Sequence, residues 1–213
     1  MKKLAILCGF VLFASGAAFA SESDRLVGDA EAGQEKAAVC AACHGPTGNS
    51  PSGDFPNIAG QGKKYLVKQL KDYQLGNETD GERGRYHMLM ADQVRNLSAQ
   101  DIYDLAAFYA AQEHEVGSTP EDVIEEGRRL WLGGDVDRGI TACAACHGPS
   151  GLGMSLATFP LVSGQHPEYT RAQLEAFRSG ERANDPNGMM RDIAVKLTDR
   201  DIEVLSQFIR GLY

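Results

Sequence analysis

The sequence predicts an all-α protein made of two tandem copies of one small fold. Three observations predict this: an internal repeat over nearly all of the chain, apolar residues at helical spacing, and one Cys-x-x-Cys-His motif in each half. The repeat aligns Phe55-Pro56 with Phe159-Pro160 and Gly60-Gln61 with Gly164-Gln165. Tyr65, Gln69, Leu70 and Tyr73 align with Tyr169, Gln173, Leu174 and Phe177. Gly76 aligns with Gly180, and Leu97-Ser98 with Leu197-Thr198. Self-similarity over both halves means two copies of one supersecondary unit. We place the first copy at residues 21–111 and the second at 120–213. Residues 112–119, polar and containing Gly117, read as the linker.

The elements follow in chain order. Lys2 and Lys3, an apolar run over residues 4–13, and Ala18-Phe19-Ala20 have the layout of a cleaved export signal, so residues 1–20 are set apart from the fold. The run is short for a membrane anchor. Cys8, preceded by bulky Leu7, sits too early for lipid attachment. Residues 30–39 are helix-prone and lead into the first cysteine motif. A second helix is expected over 64–75, with Tyr65, Leu66, Leu70 and Tyr73 as its apolar positions and Gly76 as its end. Ser98-Ala99-Gln100-Asp101 resembles a capping box. Ile102, Leu105, Ala106 and Tyr109 then fall on one helical face. In the second half Thr198 caps a helix carrying Ile202, Leu205 and Ile209. No useful stretch alternates with period two, so no sheet is expected.

Charge narrows the partners. The formal net charge is -8, and loss of Lys2 and Lys3 with the signal takes it to -10. A nucleic-acid partner would require a basic face, so none is expected.

Cysteine is more informative. Of five cysteines, Cys8 lies in the signal and the other four form two pairs, Cys40 with Cys43 and Cys143 with Cys146. Disulfides, a thioredoxin-like redox pair or one shared zinc would each use such pairs. His44 and His147, directly after the pairs, favour a different reading. Cys-x-x-Cys-His is the pattern of covalent c-type haem attachment. Two thiols three positions apart on a helical turn reach the two vinyl groups on one porphyrin edge, and the adjacent His supplies an axial nitrogen. Two covalently bound haem c groups are therefore expected. They would also give each small half apolar surface that it lacks.

The second axial ligand decides between gas binding, peroxidase chemistry and electron transfer. Candidates are Met88 and Met90 in the first half, and Met154, Met189 and Met190 in the second. The repeat separates them. Met90 lies seven residues before Leu97, and Met190 seven before Leu197. In that register Met88 faces Gly188 and Met189 faces Leu89, so Met90 and Met190 are the expected iron ligands. Core methionines and His87 remain the alternatives. A ligating His passes its other N–H to an acceptor. The carbonyls of Pro56 and Pro160 are candidates, although either proline also reads as a plain turn residue.

Tandem Cys-x-x-Cys-His domains, each with F-P-x-x-x-G-Q, then a helix, then a Met seven before L-[ST]-x-x-D-[IL], resemble the two-haem cytochrome c4 family of class I cytochromes c. The resemblance spans essentially all of the chain after residue 20. It implies two class I cytochrome c domains related by a pseudo-two-fold axis, their haems close across the interface. It implies iron ligation by His44 with Met90 and by His147 with Met190, with Pro56 and Pro160 accepting from the histidines. It further implies a periplasmic monomer, loosely associated with the membrane at most, that carries electrons from a quinol–cytochrome c reductase to a terminal oxidase. Rival readings are an electron-entry subunit of a larger oxidoreductase and a dihaem peroxidase. One departure is internal: residues 77–86 are longer and more charged than residues 181–188, so unequal haem edges and unequal potentials are expected.

Overall fold

The computed structural model describes residues 26–213; the export-signal reading of residues 1–20 lies outside the described residues. Ten α-helices among the described residues fall into two series. The first is α1 (Ala30–Lys36), α2 (Ala38–His44), α3 (Lys63–Glu78), α4 (Met88–Val94) and α5 (Ala99–Ala110). The second is α6 (Ile124–Gly133), α7 (Ala144–His147), α8 (Pro167–Ser179), α9 (Met189–Ala194) and α10 (Asp199–Arg210). Among the described residues β structure is confined to two isolated bridges, Asp135 with Ile140 and Met154 with Phe159. No described helix is long and apolar enough to cross a membrane.

Each series has its own core. In the first, Leu66 of α3 packs with Leu105, Ala106, Phe108 and Tyr109 of α5. In the second, Leu130 and Trp131 of α6 pack with Ile202, Leu205 and Ile209 of α10. Leu105, Ala106 and Tyr109 of α5 and the three α10 residues are ones that the 3.6-residue spacing singles out; Phe108 joins them from outside that set. Both helices open with a complete capping box, Ser98 with Asp101 and Thr198 with Asp201, each cap contributing about 1 kcal/mol. Both capping aspartates also meet a cation: Asp101 meets Lys36 at 3.3 Å and Asp201 meets Arg138 at 2.6 Å. The Arg138 guanidinium, with the Thr198 hydroxyl and N–H, pulls the Asp201 carboxyl down to about 2.

Two local expectations need correction. The helix expected over residues 30–39 breaks at Ala37, and α2 restarts at Ala38 to carry the cysteine motif. Gly76 does not end α3, which runs on to Glu78. Its role is close approach: a Cβ there would lie 2.2 Å from the carbonyl oxygen of Arg85, where the long loop folds back on α3. The aligned Gly180 does terminate α8, at φ +82°, a left-handed conformation that glycine adopts without a Cβ penalty. The repeat thus keeps the residue while its physical role changes with the loop that follows.

Candidate functional site

The two cysteine motifs occupy matching places. Cys40, Cys43 and His44 lie on α2, and Cys143, Cys146 and His147 lie on or just before α7. Both helices stop after the histidine, at Gly45-Pro46 and Gly148-Pro149, where proline cannot continue the helix. The four thiols are unpaired. Burial raises the Cys40 thiol and pushes the Cys143 thiol up to about 11. Redox-active pairs of the thioredoxin kind need the opposite shift, toward thiolate. Among the described residues no three His, Cys, Asp or Glu side chains converge as a metal site, so the two pairs do not share one zinc.

The histidines are held identically. His44 Nδ1–H donates to the Pro56 carbonyl at 2.9 Å, and His147 Nδ1–H donates to the Pro160 carbonyl at 3.0 Å. A carbonyl can only accept, so the contact fixes the tautomer and leaves Nε2 with its lone pair. Desolvation lowers both imidazole pKa values, against a smaller opposing effect of the proline carbonyls. Each histidine is therefore a neutral, oriented nitrogen donor beside two thiols on the same turn, and this donor set fits a covalently attached haem. Phe55 meets the His44 ring edge-on at 6.4 Å, and Trp131 lies 6.2 Å from the His147 ring. The Trp131 indole N–H is anchored on the Pro149 carbonyl at 2.8 Å.

The methionines divide by exposure. Met88, Met154 and Met189 are exposed. Met90 on α4 and Met190 on α9 are half-buried. The turn carrying Met190 is tied down by Asp185, which accepts from the N–H groups of Met190 and Arg191 at 2.9 and 3.1 Å. In the first half the N-cap position of α4 is His87, which makes no side-chain cap. His87 is exposed. His114 and His166 serve structure: His166 Nε2 bonds to the Ser50 carbonyl at 3.0 Å, and His114 lies 3.5 Å from the Ser163 hydroxyl.

Sequence reasoning missed the polar lattice joining the halves. Arg85 reaches Gln69 of its own half at 2.8 Å, and Tyr169 and Gln173 of the other at 3.1 and 2.6 Å. Arg182 mirrors it, donating to Gln173 of its own half at 2.8 Å and to Tyr65 and Gln69 of the other at 3.0 and 3.3 Å. Each guanidinium also covers an aromatic face of its own half, Arg85 over Tyr73 at 4.7 Å and Arg182 over Phe177 at 4.5 Å. The repeat signals the tyrosines and glutamines. It hides the arginines, because Arg85 and Arg182 stand at different distances from their methionines. Two further glutamines, Gln61 and Gln165, are buried at the same interface.

Comparison with known proteins agrees with this architecture. The family model described as cytochrome c matches the chain twice, over residues 30–111 and 124–213. Cytochrome c4 of Stutzerimonas stutzeri is 47% identical over 189 residues, 87% of this chain and 90% of that protein. The crystal structure of reduced recombinant cytochrome c4 from Pseudomonas stutzeri superposes with a TM-score of 0.86 at 46% identity, covering 88% of this chain and all of that one. More distantly, a thiosulfate dehydrogenase electron acceptor from Thiomonas intermedia is 34% identical over 82% of this chain and 78% of its own length. The chain belongs to the cytochrome c family, and within it to the two-haem cytochrome c4 proteins, which carry electrons on two covalently attached c-type haems and are not enzymes.

Proposed function

We propose that the protein is a freely diffusing periplasmic carrier that takes electrons from a quinol–cytochrome c reductase and delivers them to a terminal oxidase. In this reading the first domain is residues 21–111 and the second 120–213, joined by the linker 112–119 and exported by the signal at 1–20. Cys40, Cys43, Cys143 and Cys146 form the thioethers. His44 with Met90 and His147 with Met190 are the axial ligand pairs, and Pro56 and Pro160 orient the histidines. A bound haem supplies one-electron ferric–ferrous chemistry.

The chain's own residues do the rest. The thioethers hold the ring, and the Pro56 and Pro160 carbonyls hold the imidazoles in the ligating tautomer. The thioether sulfurs of Met90 and Met190 would close the irons to exogenous ligands and favour the ferrous state. The observation that carries the reading is that each half repeats the same two features, a proline-anchored neutral histidine after its cysteine pair and a half-buried methionine at the same repeat position.

A peroxide assay on the fully oxidised and half-reduced protein tests it. No turnover above that of free haem is expected, and fast turnover in either state would overturn the carrier reading in favour of a dihaem peroxidase. The similarity to a thiosulfate dehydrogenase electron acceptor supports a second reading, in which the chain serves as the electron partner of a larger oxidoreductase. Purification as a free monomer is the outcome the first reading expects. Constant co-purification with a dehydrogenase would favour the second.

A further inference from the structure

The Gly-Gln pair of each repeat has no part in haem attachment, yet its glutamine is one of the most buried polar side chains: Gln61 is 5% exposed and Gln165 8%. Both reach across the interface to the same place. Gln165 Oε1 accepts the Asn57 N–H at 2.9 Å, and its Nε2 donates to the Asn57 carbonyl at 2.8 Å. Gln61 Oε1 accepts the Leu161 N–H at 2.9 Å, and its Nε2 donates to the Leu161 carbonyl at 2.8 Å. Each Oε1 is further fixed by the N–H of the next residue in its own chain segment, Gly62 at 2.9 Å and His166 at 3.0 Å. The preceding Gly60 and Gly164 sit at φ +66° and +71°, where a side chain would be strained.

The clamped residues are not arbitrary. Asn57 and Leu161 follow Pro56 and Pro160, so the N–H each glutamine holds belongs to the same peptide group as the carbonyl that receives the histidine. The chain of contacts is Gln165 Oε1, Asn57 N–H, Pro56 C=O, His44 Nδ1–H in one direction. In the other it is Gln61 Oε1, Leu161 N–H, Pro160 C=O, His147 Nδ1–H. An amide whose N–H donates becomes a better acceptor at its oxygen, because hydrogen bonds in series polarise one another. A stronger pull on Nδ1–H gives the imidazole more basicity toward its metal.

From this geometry we infer that Gln61 and Gln165 are crossed positioning residues: each sets the donor strength of the proximal histidine, and hence the haem potential, in the opposite domain. The inference rests on His44 and His147 being iron ligands. It makes each haem's potential depend on the docking of the other domain, by a route that needs no contact between the haems.

The test uses the full-length dihaem protein with Gln165→Met and Gln61→Met, side chains of similar length without the amide. In Gln165→Met the His44 Nδ1–H resonance of the reduced protein should move upfield, reporting a weaker hydrogen bond, while that of His147 stays. The potential of the N-terminal haem should rise, and that of the C-terminal haem should hold. Gln61→Met should give the reverse. Tyr65→Phe removes the hydrogen bond that the Arg182 guanidinium donates to the Tyr65 hydroxyl at the same interface, without touching either clamp, and should leave both resonances in place. A shift at the histidine of the same domain, equal shifts at both, no shift at either, or an equal effect of Tyr65→Phe would each overturn the inference. Failure of the ligation reading shows separately, in the parent protein, as the absence of ring-current-shifted His44 and His147 protons.

Discussion

The double replacement Cys143→Ser/Cys146→Ser is expected to yield a chain with one covalent haem instead of two and a C-terminal half that no longer folds stably. The second core is small and is built around the attachment turn: Cys143 and Ala144 pack directly against its buried cluster. A covalently held haem would add apolar surface to this cluster and staple the attachment turn to it. Losing the covalent anchor should cost about 2–5 kcal/mol, the scale of removing a native disulfide from a small domain. The N-terminal half has its own core and should keep its haem. Intact mass and calorimetry check this: the mass should fall by one haem, and the low-temperature transition should carry the enthalpy of one domain. Retention of both haems would contradict the assignment of the motif.

The next largest effect is expected from Met190→His. On the proposed ligation, replacing the thioether by an imidazole removes the ligand that favours ferrous iron, and axial ligation is a strong lever on haem potential. The potential of the C-terminal haem should fall by on the order of a few tenths of a volt, with the N-terminal haem near its parent value. The turn should persist, because its anchor is the Asp185 carboxylate on the backbone N–H groups of Met190 and Arg191 and not the methionine side chain. Met154→Leu and Met189→Leu, at exposed positions, should leave both potentials unchanged. A redox titration in which neither wave moves in Met190→His would remove Met190 from the ligand set.

Much of this was legible in the sequence, for identifiable reasons. The cysteine motifs are local, so spacing alone shows their chemistry. The apolar faces of α5 and α10 are periodic, and their capping boxes are written in four consecutive residues each. What was not legible depends on contacts distant in sequence. Gly76 reads as a helix stop until the Arg85 carbonyl is seen against it. Arg85 and Arg182 occupy equivalent roles from unequal positions, because the first copy has four more residues between Tyr65 and Met90 than the second has between Tyr169 and Met190. The repeat displayed Gly60-Gln61 and Gly164-Gln165 plainly, but their partners are about a hundred residues away in the other copy. No rule of local propensity connects a side chain to a backbone at that distance.

The central claim is that both irons are six-coordinate, closed and ligated by methionine. The absorption spectrum of the fully oxidised protein, quantified per haem, tests it most directly. The account predicts the weak long-wavelength band of methionine-bound ferric haem at the intensity of two such haems per chain, with no high-spin feature. Intensity for one haem or none, or a high-spin band showing an open iron, would contradict it.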